Sequence, residues 1–161
     1  MEKIKIGQNG PEVGKLGLGC MRMSPVWNRP ARPEKEAIAA IHYALDHGIN
    51  FLNTGDFYGA GHNELLVAKA LRDRREKAYI SVKFGAIFDG QMLGLDLRPN
   101  AIRNFINYSL VRLGTDYIDL YQPCRIDDQQ LLEEIVGAIW ALVRPGEVSP
   151  RGLSESTRQQ L

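Results

Sequence analysis

A tyrosine and a lysine are ordinary residues apart and an acid–cation pair together. Tyr58 lies near the end of Phe51-Leu52-Asn53-Thr54-Gly55-Asp56-Phe57-Tyr58-Gly59, which begins as a short apolar run and ends in polar and aromatic groups on a glycine-punctuated turn. Lys83 follows a second apolar run, Ala78-Tyr79-Ile80-Ser81-Val82. If both runs are parallel strands, these side chains emerge at carboxyl ends, where parallel α/β chains keep their pockets. There an ammonium beside a phenol stabilises the phenolate, lowers the tyrosine pKa and makes it a better proton donor near neutral pH. Singly, each has a structural reading: Tyr58 as an amphipathic core residue, Lys83 as a strand-end residue with its stem along apolar surface. Jointly they read as the centre of a site.

The elements that must position this pair follow from a repeated change of period. Short apolar runs predict strands near residues 16–19, 49–53, 79–83, 117–121 and 149–153. Between them, apolar residues recur at helical spacing. One stripe holds Ile38, Ile41 and Leu45 with Ala37 and Ala44, and Gly48 suits its C-terminal cap. A second helix runs from His62 to about Asp73, with Leu65, Leu66, Ala68 and Leu71 available for burial. A third begins at Arg98-Pro99-Asn100 and carries Ile102, Phe105, Ile106, Leu110 and Leu113. The fourth carries Leu132, Ile135, Val136, Ile139, Leu142 and Val143. Residues 86–97 read as a glycine-rich loop, and Lys3 to Leu18 as an opening β-hairpin running into the first core strand.

Alternating βα units imply parallel strands joined by right-handed crossovers. The first turn lacks G-x-G-x-x-G and no glycine-rich loop reads as running directly into a helix, which favours a barrel over an open dinucleotide-binding sheet. The expected fold is α/β, of the (β/α)8 TIM-barrel type. Only about its first half is present, four to five βα units preceded by an N-terminal β-hairpin, because a complete barrel needs about 200–250 residues. Residues 1–161 are expected to form a single domain. Its strand ends bring Cys20 and Met21, Asn53 to Tyr58, Lys83, Cys124 and Ser154 to one rim.

Lys and Arg total 20 against 19 Asp and Glu, a net charge of +1, so nothing points to nucleic acid or a membrane surface. No apolar run approaches the roughly 18 residues of a spanning helix, and Met1-Glu2-Lys3-Ile4 opens without a signal-peptide core. A cytoplasmic chain with Cys20 and Cys124 as two reduced thiols is expected, with no metal site.

The sequence resembles the aldo-keto reductase family from Ile4 to its end. The resemblance is carried by Leu16–Gly19, Gly48–Gly59, Ile80–Lys83, Leu113–Gln122 and Gly152–Glu155, five ordered matches at strand ends. It implies a (β/α)8 barrel that reduces carbonyls with a nicotinamide cofactor, usually NADPH. It places the family's proton-donating tyrosine on Tyr58 and its lysine on Lys83. The family's aspartate falls on Asn53 and its histidine on Cys124, two departures. Asn53 can accept a hydrogen bond from Lys83 but brings no charge, and a thiol is a weak donor. Asp56 is the next carboxylate along the chain. Cofactor contacts are expected at Gly19, Cys20, Met21, Asn53 and Ser154, with the phosphate-gripping residues in the second half of the barrel.

The implied function is NADPH-dependent reduction of aldehyde or ketone carbonyls to alcohols. Tyr58 is its proton donor, Lys83 lowers the pKa of Tyr58, and the partner is a small-molecule carbonyl. The alternative is a catalytically impaired relative serving as a nucleotide-binding, structural or oligomerising module, self-associating through open barrel edges.

Overall fold

The structure, a computed structural model, describes residues 1–7, 10–25, 30–89, 91–126 and 132–143. Strands β1 (Lys3–Lys5) and β2 (Glu12–Gly14) pair antiparallel as the opening hairpin. Four strands then form one parallel sheet: β3 (Gly17–Gly19), β4 (Phe51–Gly55), β5 (Tyr79–Phe84) and β8 (Leu120–Pro123), neighbours in that order. Helices α1 (Glu34–Asp46), α2 (His62–Leu71) and α3 (Pro99–Leu113) make the three crossovers, and α4 (Leu132–Val143) follows β8.

Register divides the sheet into two faces of opposite character. Leu52, Ile80, Val82, Phe84 and Tyr121 alternate onto one face and join the main core with Ile41, Leu66, Val67, Ile102, Ile106, Ile135 and Ile139 of the helices. The other face carries Phe51 and Tyr79 at its lower level, with Leu120 one step up beside Ser81, and Val13 and Ile6 of the hairpin segment join this apolar cluster. Phe51 and Tyr79 stack there, with ring centroids 5.5 Å apart. Above that layer the same face becomes polar, with Asn53, Ser81, Lys83 and Gln122. The hairpin thus closes the apolar end of this face, and the polar end stands at the carboxyl rim.

Local chemistry sets the helix ends. Pro99 occupies the first turn of α3, where its missing N–H costs nothing, and Gly114 (φ 64°) ends the helix with its N–H on Leu110 O at 2.9 Å. Gly48 (φ 82°) follows α1 in the same left-handed conformation.

Three expectations need correction. Residues 86–97 hold an antiparallel ribbon rather than only a loop: Ala86–Phe88 (β6) pairs with Met92–Leu95 (β7) through a bulge at Ile87 and Phe88. The fourth core strand is displaced from 117–121 to Leu120–Pro123. Below Leu120 side chains replace the ladder: Asp119 Oδ2 accepts from Ile80 N at 2.8 Å, and Arg75 donates to Asp119 Oδ2 (2.7 Å), Tyr117 O (3.1 Å) and Ala78 O (2.9 Å). A glycine-rich turn does run straight into a helix, Gly59-Ala60-Gly61 into α2. The strand expected at 149–153 lies outside the described residues.

Because Asp119 and Arg75 are largely buried and satisfy three backbone groups between them, the pair should matter to stability. Asp119→Ala is expected to lower the unfolding free energy by about 2–3 kcal/mol in a urea titration. An unchanged midpoint with an unchanged slope would contradict this role.

Candidate active site

The polar upper level of the inner face is organised by one ammonium. Lys83 comes from β5, whose register sets it beside Gly55 of β4 and Gln122 of β8. Its Nζ donates to Asn53 Oδ1 at 2.5 Å and lies 3.5 Å from Tyr58 OH. Asn53 Nδ2 donates to Ser81 Oγ at 3.1 Å, so each end of the amide has a partner and its oxygen faces the cation. The ammonium is 6.0 Å from the Tyr58 ring centroid, much farther than from the hydroxyl. Its influence is therefore on the O–H rather than the ring face.

Tyr58 reaches this position from the turn after β4. Its ring is buried and meets Phe57 edge-on, centroids 4.7 Å apart. A Cβ at Gly55 would stand 3.3 Å from the rings of both Phe57 and Tyr58, so glycine there lets the phenol lie against the strand end. Gly59, Ala60 and Gly61 then take three successive positive φ angles, 60°, 52° and 92°, turning the chain into α2. Ala60 adopts this conformation against its steric preference.

The carboxylate absent at position 53 is not supplied by Asp56. Both Asp56 oxygens are buried, and among the described residues neither has a hydrogen bond of good geometry, the Gly85 and Phe57 amides making only weak contacts. Burial, reinforced by nearby Glu64, pushes its carboxyl up to about 8; Arg112 and the Gly85 and Phe57 amides oppose this only in part. Asp56 is therefore a neutral acid at neutral pH. Glu64 is fully buried and accepts from Arg112 Nε at 2.5 Å, yet burial still raises its carboxyl above the ordinary range. Tyr121, behind the sheet, is pushed well above 10, first by burial and then by these two acids.

The remaining expected positions divide as follows. Gly19 pairs with Asn53, and a Cβ there would meet nothing within 4 Å, so the inner face is open beside the amide. Cys20 N donates to Asn53 O at 2.9 Å, but its thiol is fully buried against Leu18 O (3.8 Å) and is pushed up to about 12 by burial. Cys20 can therefore offer a ligand little beyond its backbone. Met21 lies in the short helical turn Met21–Met23 and is partly exposed. Cys124 follows β8, with its N–H on Phe84 O at 2.7 Å, and is not joined to Cys20 by a disulfide. Ser154 lies outside the described residues. The sequence reading missed Ser81 as the partner of Asn53, although period-two alternation from Lys83 puts it on the same face. It also left unassigned Gln122, which the register sets beside Lys83.

Fold and site together define a class: a partial (β/α) barrel whose polar side chains gather at the carboxyl ends of its parallel strands. A model of the aldo/keto reductase family matches residues 15–161. The chain is 42% identical over 159 residues to the probable aldo-keto reductase 1 of Glycine max, an overlap of 98% of this chain and 46% of that protein. Its fold matches aldo-keto reductase AKR11C1 from Bacillus halodurans with a TM-score of 0.85 and 33% identity, over 96% of this chain and 50% of that one. It also matches an aldo-keto reductase from Klebsiella pneumoniae in complex with NADPH, with a TM-score of 0.78 and 26% identity, over 99% and 52% of the two chains. The chain belongs to the aldo/keto reductase family, and it spans about half the length of these relatives.

Asp56 generates a pH prediction. It ionises near 3.8 in an ordinary setting and near about 8 in the fold, so the folded chain keeps a proton that the unfolded chain has lost. The stability this proton contributes is complete below about pH 4 and is lost as pH rises through about 8. Asp56→Asn holds no such proton. Its melting temperature should fall less than the parent's between about pH 5 and about pH 9; parallel decreases would contradict an uncharged Asp56.

Proposed function

We propose that this chain carries the acid half of an NADPH-dependent reductase site for aldehydes and ketones. The observation that supports it best is the placement of Lys83 Nζ between Asn53 Oδ1 and Tyr58 OH at the carboxyl rim. When bound, NADPH supplies a hydride to the carbonyl carbon. Tyr58 OH gives its proton to the carbonyl oxygen as negative charge develops there, and the phenolate left behind is stabilised by the Lys83 ammonium. Asn53 holds that ammonium in place through a neutral dipole. In this reading Gln122, beside Lys83, and Cys124, past the end of β8, line the substrate side.

In this reading a flat cofactor ring lies on the inner face beside Asn53, and the space that Gly19 leaves there supports it. Gly19, the Cys20 backbone, Met21 and Asn53 would border it there, and Ser154 is a further proposed contact. The neighbour solved with NADPH supports this cofactor by family likeness. Phosphate contacts are assigned to the second half of the barrel, so this chain alone is expected to show little or no carbonyl reduction.

The two departures from the family pattern should lower the rate further. Loss of one preorganised donor commonly costs about 10²–10³, and effects within one site do not simply add. Joined to the C-terminal half of an active relative, the chain should oxidise NADPH with a reactive aromatic aldehyde. Asn53→Asp with Cys124→His should raise that rate, and Tyr58→Phe should lower it by about 10²–10⁴. Turnover that survives Tyr58→Phe would remove Tyr58 from the role of acid.

A further inference from the structure

The most completely satisfied polar side chain near the site is one the proposed chemistry does not use. Asn63, in the first turn of α2, is wholly buried. Its Oδ1 accepts from Thr54 Oγ1 at 2.6 Å, and its Nδ2 donates to Cys20 O at 2.8 Å and Ser24 Oγ at 2.7 Å. Its backbone N–H donates to Tyr58 O at 3.2 Å. One residue therefore bonds the end of β4, the loop after β3 and the turn that carries Tyr58.

The two loops also touch directly. Ser24 Oγ shares a second hydrogen bond with His62 Nδ1 at 2.9 Å. Gly59, next to Tyr58, is so close to that loop that a Cβ on it would come within 3.1 Å of Ser24 Cβ and 3.2 Å of Pro25 Cδ. Cys20 O, which accepts from Asn63, also accepts from Met23 N at 2.9 Å and so starts the short turn holding Met21. Asn63, Thr54, Ser24 and Cys20 are all buried, and only His62, at the edge of the joint, is partly exposed. Losing any of these bonds leaves a buried polar group without its partner, so the arrangement has few alternatives of similar energy.

We propose that Asn63 is a positioning residue, whose carboxamide sets the Cys20–Met23 segment relative to the Tyr58 phenol. This rests on the reading of Tyr58 as proton donor and of the Cys20–Met21 segment as the cofactor side. On that reading the distance between hydride source and acid depends on a residue that bonds only the backbone of the two segments and not the phenol hydroxyl itself. A burial role alone would hold α2 against the sheet without linking the two loops.

The test separates these roles in the intact chain, with no cofactor present. Carbon-13 methyl signals of Met21, Met23 and Met92 are recorded with the ring signals of Tyr58. Met92, in the β6–β7 ribbon, serves as the reference. Thr54→Val and Ser24→Ala each remove one arm of the joint while keeping Asn63, which guards against Asn63→Ala failing to fold. Both variants should shift Met21 or Met23 together with Tyr58 and leave Met92 in place. Thr54→Ser, which keeps the hydroxyl, should return the signals to the parent positions. Shifts on one side only, on neither side, or equally at Met92 would overturn the assignment. The reductase reading is tested separately, by turnover of the chain joined to the C-terminal half of an active relative; its failure there would sink that reading and leave this result readable.

Discussion

The upper half of the inner face depends on a partly buried ammonium with a neutral partner. A lysine drawn out of water loses hydration, and oxygen atoms must replace that hydration. Here Asn53 Oδ1 at 2.5 Å does so, and Ser81 fixes the amide so that its oxygen faces the cation. A carboxylate at position 53 would add a Coulomb attraction; an amide adds only a dipole. Tyr58 OH lies 3.5 Å from the same Nζ, so a weaker hold by Asn53 leaves more of the cation's field on the phenol. The same substitution that departs from the family pattern thus leaves the Tyr58–Lys83 contact in place.

Behind the sheet the charge balance runs the other way. Asp56 and Glu64 share one guanidinium, Arg112, in a region where Tyr121 and Ser109 are also enclosed. Two ionised carboxylates with one cation would leave a net buried charge, and the cheaper solution is a proton on Asp56. The Arg112 side chain also lies over Gly61, where a Cβ would meet its Cδ at 2.8 Å, so the acids, the left-handed turn and the start of α2 are packed as one unit. The turn carrying Tyr58 is thus contacted by Arg112 on this side and bonded by Asn63 on the other.

Much of this was legible in the sequence because strand and helix periods alternate cleanly. The parallel order of the core strands, the start of α2 at His62 and the meeting of Tyr58 with Lys83 follow from where each apolar run stops. What was not legible depends on tertiary partners. Leu65 reads as a core residue and is half exposed, while its neighbours Asn63 and Glu64 are fully buried. Hydrophobicity ranks these three in the wrong order, because Thr54, Cys20, Ser24 and Arg112 supply the hydrogen bonds that make polar burial tolerable. The displacement of β8 was hidden for a similar reason: Asp119 and Arg75 satisfy the backbone where a ladder was expected. The β6–β7 ribbon was obscured by its glycines, which read as loop although the flanking apolar residues permit pairing.

The proposed site stands or falls on Lys83, held by the Asn53 amide, acting on the hydroxyl of Tyr58. Its most direct measurement is the titration of carbon-13 at the Tyr58 Cζ position by NMR, in the parent chain and in Lys83→Met. The midpoint should be lower in the parent than in Lys83→Met, since removal of the ammonium leaves the phenolate without its stabilising charge. Equal midpoints in two folded chains would contradict it.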